Sequence, residues 1–235
     1  MRFYTTPKGE VEWPYWLVNP RTEKRLLNSG FEHAIADSGV MIFVHEDITE
    51  YPQGFLREWK YKAKLLTDIY GEDRISCVIP DYPDDYNPGQ FGDNVEKTIS
   101  NIEDFISVDG PKWVVSLQSR YLDKFSFLTA VQEVKDLLGH YPNLAIGTVC
   151  KCNRIEFIKY CCDVARQHFP KSWLHAFGLT LRALPHVNET LDSWDSMAWT
   201  FPRKPGGRSH RGGEEVEYFD AYVNRIAEIM TKEDS

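Results

Sequence analysis

What most constrains this chain is an alternation. Short apolar runs of strand length take turns with longer stretches whose apolar residues recur at helical spacing. Val40-Met41-Ile42-Phe43-Val44 reads as a buried strand, and Phe55, Trp59, Ala63, Leu66 and Ile69 follow on one helix face, stopped by Gly71. Ile75 to Ile79 is the next strand, closed by Pro80, and Val95, Ile99, Ile102 and Ile106 form the next stripe. The pattern continues with Trp113-Val114-Val115, the stripe Phe127, Val131, Val134 and Leu138 ended by Gly139, and Leu144-Ala145-Ile146-Gly147. Ile155, Ile158, Cys162 and Ala165 then give a helix, and Trp173 to Gly178 a strand. Thr180 to Val187 predicts a returning helix, Leu191 to Asp195 a last strand, and Val216, Phe219, Val223, Ile226 and Met230 a last helix. Ahead of all this the N-terminal stretch is irregular, with a candidate strand at Trp13 to Val18 and a short helix at Pro20 to Leu27.

Strands alternating with helices imply parallel βαβ units in an α/β protein. About seven units can be counted, against the eight a closed barrel needs. A (β/α)8 barrel of the TIM type is the expectation, and a doubly wound open sheet is the rival. With 235 residues and no linker, repeat or low-complexity stretch, residues 1–235 read as one domain. No apolar run is long enough for a signal peptide or a membrane span. Five cysteines, an odd number, then read as reduced thiols in a cytoplasm, a host's cytoplasm if the chain is viral.

In such a barrel, chemistry sits where strands end. The residues there are Asp37-Ser38-Gly39, Asp81, Gln118, Gly147-Thr148, His175 to Gly178, and Asp195. Several are acids or amides, suited to reading the edge of a polar heterocycle, and Gln118 suits pairing with a base carbonyl. Asp84 and Asp85 read as solvated loop charges, and His45-Glu46-Asp47 as a hydrated loop. Cys150, Cys152, Cys161 and Cys162 lack the paired spacing of a zinc site, so no metal is expected. Trp194 and Trp199 flank Asp195 and suit either a stacking role or the core. The net charge is −8, and the concentrated basic run is Arg203-Lys204-Pro205-Gly206-Gly207-Arg208-Ser209-His210-Arg211. Its reading is a polynucleotide backbone track or a solvated loop.

Taken in order, these residues resemble the tRNA-guanine transglycosylase superfamily. Asp37-Ser38-Gly39 is similar to its aspartate-serine-glycine motif, and Asp195 with Pro202-Arg203 is similar to its nucleophile loop. Asp81, Gln118, Ala145-Ile146-Gly147 and His175-Ala176-Phe177-Gly178-Leu179 fall where that family has its base-reading acid, its glutamine and two glycine-ended strands. The family's tRNA-acting members carry a cysteine-rich zinc site after the nucleophile, and no cysteine follows Asp195 here. The resemblance therefore leans toward the branch that inserts deazaguanine bases into DNA. It implies exchange of guanine for a 7-deazaguanine without a cofactor, with Asp195 as nucleophile and Asp37 as acid and base. Ser38, Gly39, Asp81, Gln118, Gly147 and Gly178 then bind the base, and Arg203, Lys204, Arg208 and Arg211 the nucleic acid. Implied partners are DNA ahead of tRNA, a small deazaguanine base and a second copy in a homodimer. The alternatives are a tRNA-acting enzyme, a nucleoside hydrolase on the same barrel, and a nucleic-acid-binding protein on an inactive scaffold.

Overall fold

The computed structural model describes residues 1–28, 30–40, 43, 48–84, 93–150, 152–200 and 215–231. Eight strands form one sheet: β1 (Arg2–Tyr4), β2 (Tyr15–Val18), β3 (His33–Ala36), β4 (Ile75–Val78), β5 (Trp113–Leu117), β6 (Asn143–Ile146), β7 (Trp173–Ala176) and β8 (Ser193–Asp195). The order is β1-β8-β7-β6-β5-β4-β3-β2, and every ladder is parallel. The two strands left at the ends, β1 and β2, meet at a bridge between Thr5 and Trp16. There the Leu17 N–H donates to Thr5 O at 2.8 Å and the Thr5 N–H to Tyr15 O at 3.3 Å. The sheet is thus nearly closed into a barrel.

Parallel neighbours cannot be joined by hairpins, so the chain returns along the outside. The described crossover helices are α1 (Phe55–Tyr70), α2 (Asn94–Ile106), α3 (Lys124–Leu138) and α4 (Ile155–His168), with α5 (Glu215–Thr231) after β8. α1 buries Trp59, Ala63 and Leu66 and stops at Gly71, whose φ of 86° suits glycine. α3 starts under a side-chain cap, the Asp123 carboxylate accepting from the Phe125 and Ser126 N–H groups at 2.9 and 3.0 Å. No described helix is long and apolar enough to cross a membrane.

Three sequence expectations change. β1 lies inside the stretch read as irregular: three residues are too few to show a period, yet they supply the eighth strand. The third strand is His33–Ala36, ahead of the Val40–Val44 run, of which residues 41, 42 and 44 lie outside the described residues. Its small residues and inward histidine hid it, and the shift puts Asp37 just past a strand's C-terminal end. Thr180 to Val187 forms no α-helix, only a 3-10 turn at Leu184–His186. Pro185 inside that turn cannot continue a hydrogen-bonded helix.

Alternation along each strand divides the core. Ala34, Cys77, Val115, Leu144, Leu174 and Trp194 face the helices. Tyr4, Ile35, Val78, Val114 and Ala145 fill the barrel. The interior also holds polar groups that pair with one another. The Tyr4 hydroxyl lies 2.9 Å from His33 Nδ1, and His33 Nε2 lies 3.2 Å from Ser76 Oγ. Burial, helped by the Lys112 and Arg2 charges, lowers the His33 pKa to about 4. The folded chain therefore keeps His33 neutral where the unfolded chain, with an ordinary value of 6.5, would protonate it. Its contribution to stability is complete above pH 6.5 and is lost as pH falls through about 4. Urea unfolding of the wild type and His33→Gln should show the wild type losing about 2 kcal/mol more across that window.

Candidate active site

The site is assembled from the C-terminal ends of β3 to β8. Asp37 follows β3, and its N–H still donates to Val18 O at 2.7 Å, extending the β2–β3 ladder by one step. Gly39 turns the chain away with φ +90°, and a β-carbon there would lie 3.0 Å from the Pro20 ring. Ser38 is buried, its Oγ 3.5 Å from the Tyr51 hydroxyl. Tyr51 in turn donates to the Asp81 backbone carbonyl at 3.0 Å. The loops after β3 and β4 are tied together in this way.

Asp81 is held from behind by α2. The apolar stripe predicted there is real, but the buried face also carries Asn94, Thr98 and Asn101. Asn101 Nδ2 donates to Pro80 O at 2.8 Å, the Tyr82 N–H to Thr98 Oγ1 at 2.9 Å, and Asn94 Nδ2 to Pro83 O at 3.4 Å. These residues clamp the loop carrying Asp81. In front, the Asp81 carboxylate accepts from Ser116 Oγ at 2.7 Å and from Gln118 Nε2. Ser116 and Gln118 stand two residues apart on one face of β5 and its extension. With Nε2 committed to Asp81, Gln118 Oε1 is buried without a hydrogen-bond partner.

Gly147 closes this corner. A β-carbon on it would meet Gln118 Nε2 and Ser116 Oγ well inside van der Waals contact. Its missing side chain is what lets those two groups stand so close to the backbone. Gly147→Ala should push Gln118 off Asp81 and cost about 1–3 kcal/mol of stability by overpacking, measurable as a lowered thermal midpoint.

Asp195 ends β8. Its Oδ1 accepts from the Gly178 N–H at 3.0 Å and lies 3.1 Å from His175 Nε2. Gly178 has φ +59°, and a β-carbon there would come within 2.6 Å of Cys150 Sγ. Asp195 and Asp81 are 5% and 4% exposed, whereas Asp37 is partly accessible.

Three acids thus face one mouth, and they are felt electrostatically. Burial first, then the Asp81 charge, raises the Asp37 pKa from 3.8 to about 7, and Asp195 adds to that rise. Burial also raises Asp81, opposed by the hydrogen bonds from Ser116 and Gln118. A carboxyl that titrates near neutrality can give and take a proton at physiological pH.

The structure gathers Asp37, Ser38, Gly39, Asp81, Gln118, Gly147, Gly178 and Asp195 at this end of the barrel. Arg203, Lys204, Arg208 and Arg211 lie outside the described residues, as do His45, Glu46, Asp47 and Asp85. Asp84 corrects its expectation: it is 4% exposed, not solvated, and its Oδ2 accepts from the Tyr121 N–H at 2.8 Å. Trp194 and Trp199 are core residues, packed on Phe3 and Phe219. Cys161 and Cys162 are buried in α4, which pushes both thiols up. Among the described residues, no cluster of three or more His, Cys, Asp or Glu forms a metal site. The sequence assigned no role to Ser116, Tyr51, His175 or Ser193. Ser116 was within reach, two residues before Gln118 on an alternating strand; Tyr51 comes from a loop and gave no signal.

No family model matches this chain, and no curated protein matches it. Among solved structures, the crystal structure of the HMG-CoA lyase from Brucella melitensis aligns at a TM-score of 0.37 and 11% identity, over 92% of this chain and 70% of that one. A likeness that slight says nothing about chemistry, so the functional reading rests on the site itself.

Proposed function

We propose that this protein exchanges guanine for a 7-deazaguanine base in a polynucleotide, with DNA favoured over tRNA, through a covalent Asp195–nucleoside intermediate. The observation that carries the reading is the meeting of three carboxyls at the C-terminal mouth, one of them, Asp37, raised to about 7. Exchange at an anomeric carbon needs a carboxylate to capture a cation-like sugar and a second group to move a proton. Asp195 suits the capture, because it is fixed through Oδ1, which leaves Oδ2 for the sugar. Asp37 suits the proton transfer.

The scheme balances. Asp195 bonds to C1′ as the bond to guanine breaks, the electron pair leaves with the base, and Asp37 supplies the proton. The incoming base gives its ring N–H proton back to Asp37 and bonds to C1′, releasing Asp195. Asp81 and Gln118 are the polar wall against which the base lies, and the glycine at 147 leaves room for Gln118 to stand there. A base inside a duplex must be flipped out to reach such a pocket. The basic run from Arg203 to Arg211 follows Asp195 in sequence and is the proposed backbone track.

The test is release of labelled guanine from duplex DNA, single-stranded DNA and tRNA in parallel. Release from DNA supports the reading. Release from tRNA alone moves the activity to that polymer, and release from free nucleosides alone makes the protein a hydrolase. Binding without release, unchanged by losing either aspartate, makes it a binding protein.

A further inference from the structure

The inner faces of β7 and β8 carry a polar pair that the exchange scheme does not use. His175 and Ser193 are register partners across that ladder, and Asp195 stands two residues beyond Ser193 on the same strand. His175 Nδ1 lies 2.8 Å from Ser193 Oγ, and Nε2 lies 3.1 Å from Asp195 Oδ1. Neither His175 nor Ser193 has any solvent exposure. Aromatic rings fix the imidazole plane: Trp173 stacks at 5.5 Å, and Tyr4 and Phe177 meet it edge-on at 5.6 and 4.9 Å.

A serine, a histidine and an aspartate in line suggest a hydrolase triad, but the order in space is reversed. Ser193 is at the sealed end and Asp195 at the mouth, so no substrate reaches the hydroxyl. The line of contacts is built to act on Asp195.

We infer that His175 is a positioning residue for Asp195, donating from Nε2 to Oδ1 while Ser193 donates into Nδ1. This rests on the reading of Asp195 as the nucleophile. An ionised carboxylate only accepts, and a neutral imidazole carries one donor and one acceptor nitrogen. The Nε2–H form is therefore the one that fits, and the Ser193 hydroxyl holds the ring in it.

The consequence is kinetic. When Oδ2 bonds to C1′, Oδ1 becomes an ester carbonyl and gives up charge. When that bond breaks, the pair returns to the carboxylate, and the His175 and Gly178 N–H groups stabilise it as it leaves. The same donors restrain the carboxylate in the forward half. Loss of His175 thus slows breakdown of the intermediate more than its formation.

The experiment is a single-turnover assay on guanine-containing DNA. It follows guanine release, the protein–DNA adduct that survives denaturation, and its discharge by a chase of free guanine. In His175→Phe, discharge should slow by about 10²-fold, release by no more than about tenfold, and the adduct should accumulate. His175→Gln, which keeps an N–H in reach of Oδ1, should recover discharge to within about tenfold of wild type. Equal slowing of both halves without rescue by glutamine, or no slowing at all, overturns the inference. If His175→Phe does not fold, Ser193→Ala decides: slower discharge at unchanged release supports the role, and unchanged discharge overturns it. A wild-type protein that neither releases guanine nor forms an adduct defeats the nucleophile assignment itself, and this inference with it. A wild type active in both steps beside an indifferent His175→Phe defeats this inference alone.

Discussion

Asp195→Asn should leave a folded protein that releases no guanine. Asparagine keeps the shape of the side chain and an acceptor at Oδ1 for the Gly178 N–H, so the local geometry has little reason to collapse. What it lacks is a charged oxygen able to bond to an anomeric carbon. Removing a nucleophile costs on the order of 10⁴-fold in turnover, more than any neighbouring hydrogen bond contributes. Labelled-guanine release should fall to background and no denaturation-stable adduct should form, while the thermal midpoint stays near that of wild type. Activity within about tenfold of wild type would reject Asp195 as the nucleophile.

Asp37→Asn should do two things in opposite directions. Exchange should fall to trace levels, because asparagine moves no proton. Stability at neutral pH should rise. The folded chain holds the Asp37 proton up to about pH 7, whereas the unfolded chain releases it near 3.8. Between those values unfolding releases a proton, so stability falls as pH climbs, and above about 7 the fold bears a buried charge. Asparagine imitates the protonated acid at every pH. The gain should be absent below pH 3.8, grow through the window and reach roughly 3 kcal/mol above pH 7. Denaturant titrations at pH 4, 6 and 8 measure it. In the wild type, guanine release should decline above about pH 7 as the acid form disappears. A residue that lowers stability while serving only a turn has no reason to behave this way, so a variant with lowered stability and full activity would sink the assignment.

Much of the barrel was legible because most of its strands are apolar runs bounded by helical stripes. What escaped had physical reasons. β1 is three residues long, and β3 alternates one histidine and one isoleucine with alanines, so neither shows enough apolar contrast. The polar face of α2 escaped because Asn94 and Asn101 meet carbonyls, and Thr98 an N–H, of the loop they hold, which no count of apolar spacing registers. Asp37, Asp81 and Asp195 were readable as strand-end acids. Their mutual influence was not, since it depends on how closely the ends of β3, β4 and β8 approach. His175 was visible as a histidine in an apolar strand, but its partner depends on the register of β7 against β8.

The Thr5 hydroxyl donates to Ser196 O at 3.0 Å across a separation of 191 positions, beside the ladder that pairs Tyr4 with Asp195. On a ribosome the first of these segments emerges long before the second. β1 must wait, with its backbone hydrogen bonds to β8 unmade, until nearly all of the remaining barrel has been synthesised. The carboxyl proposed for the chemistry therefore takes its final place in one of the last pairings to form, and a chain halted short of β8 has a nearly complete scaffold without it.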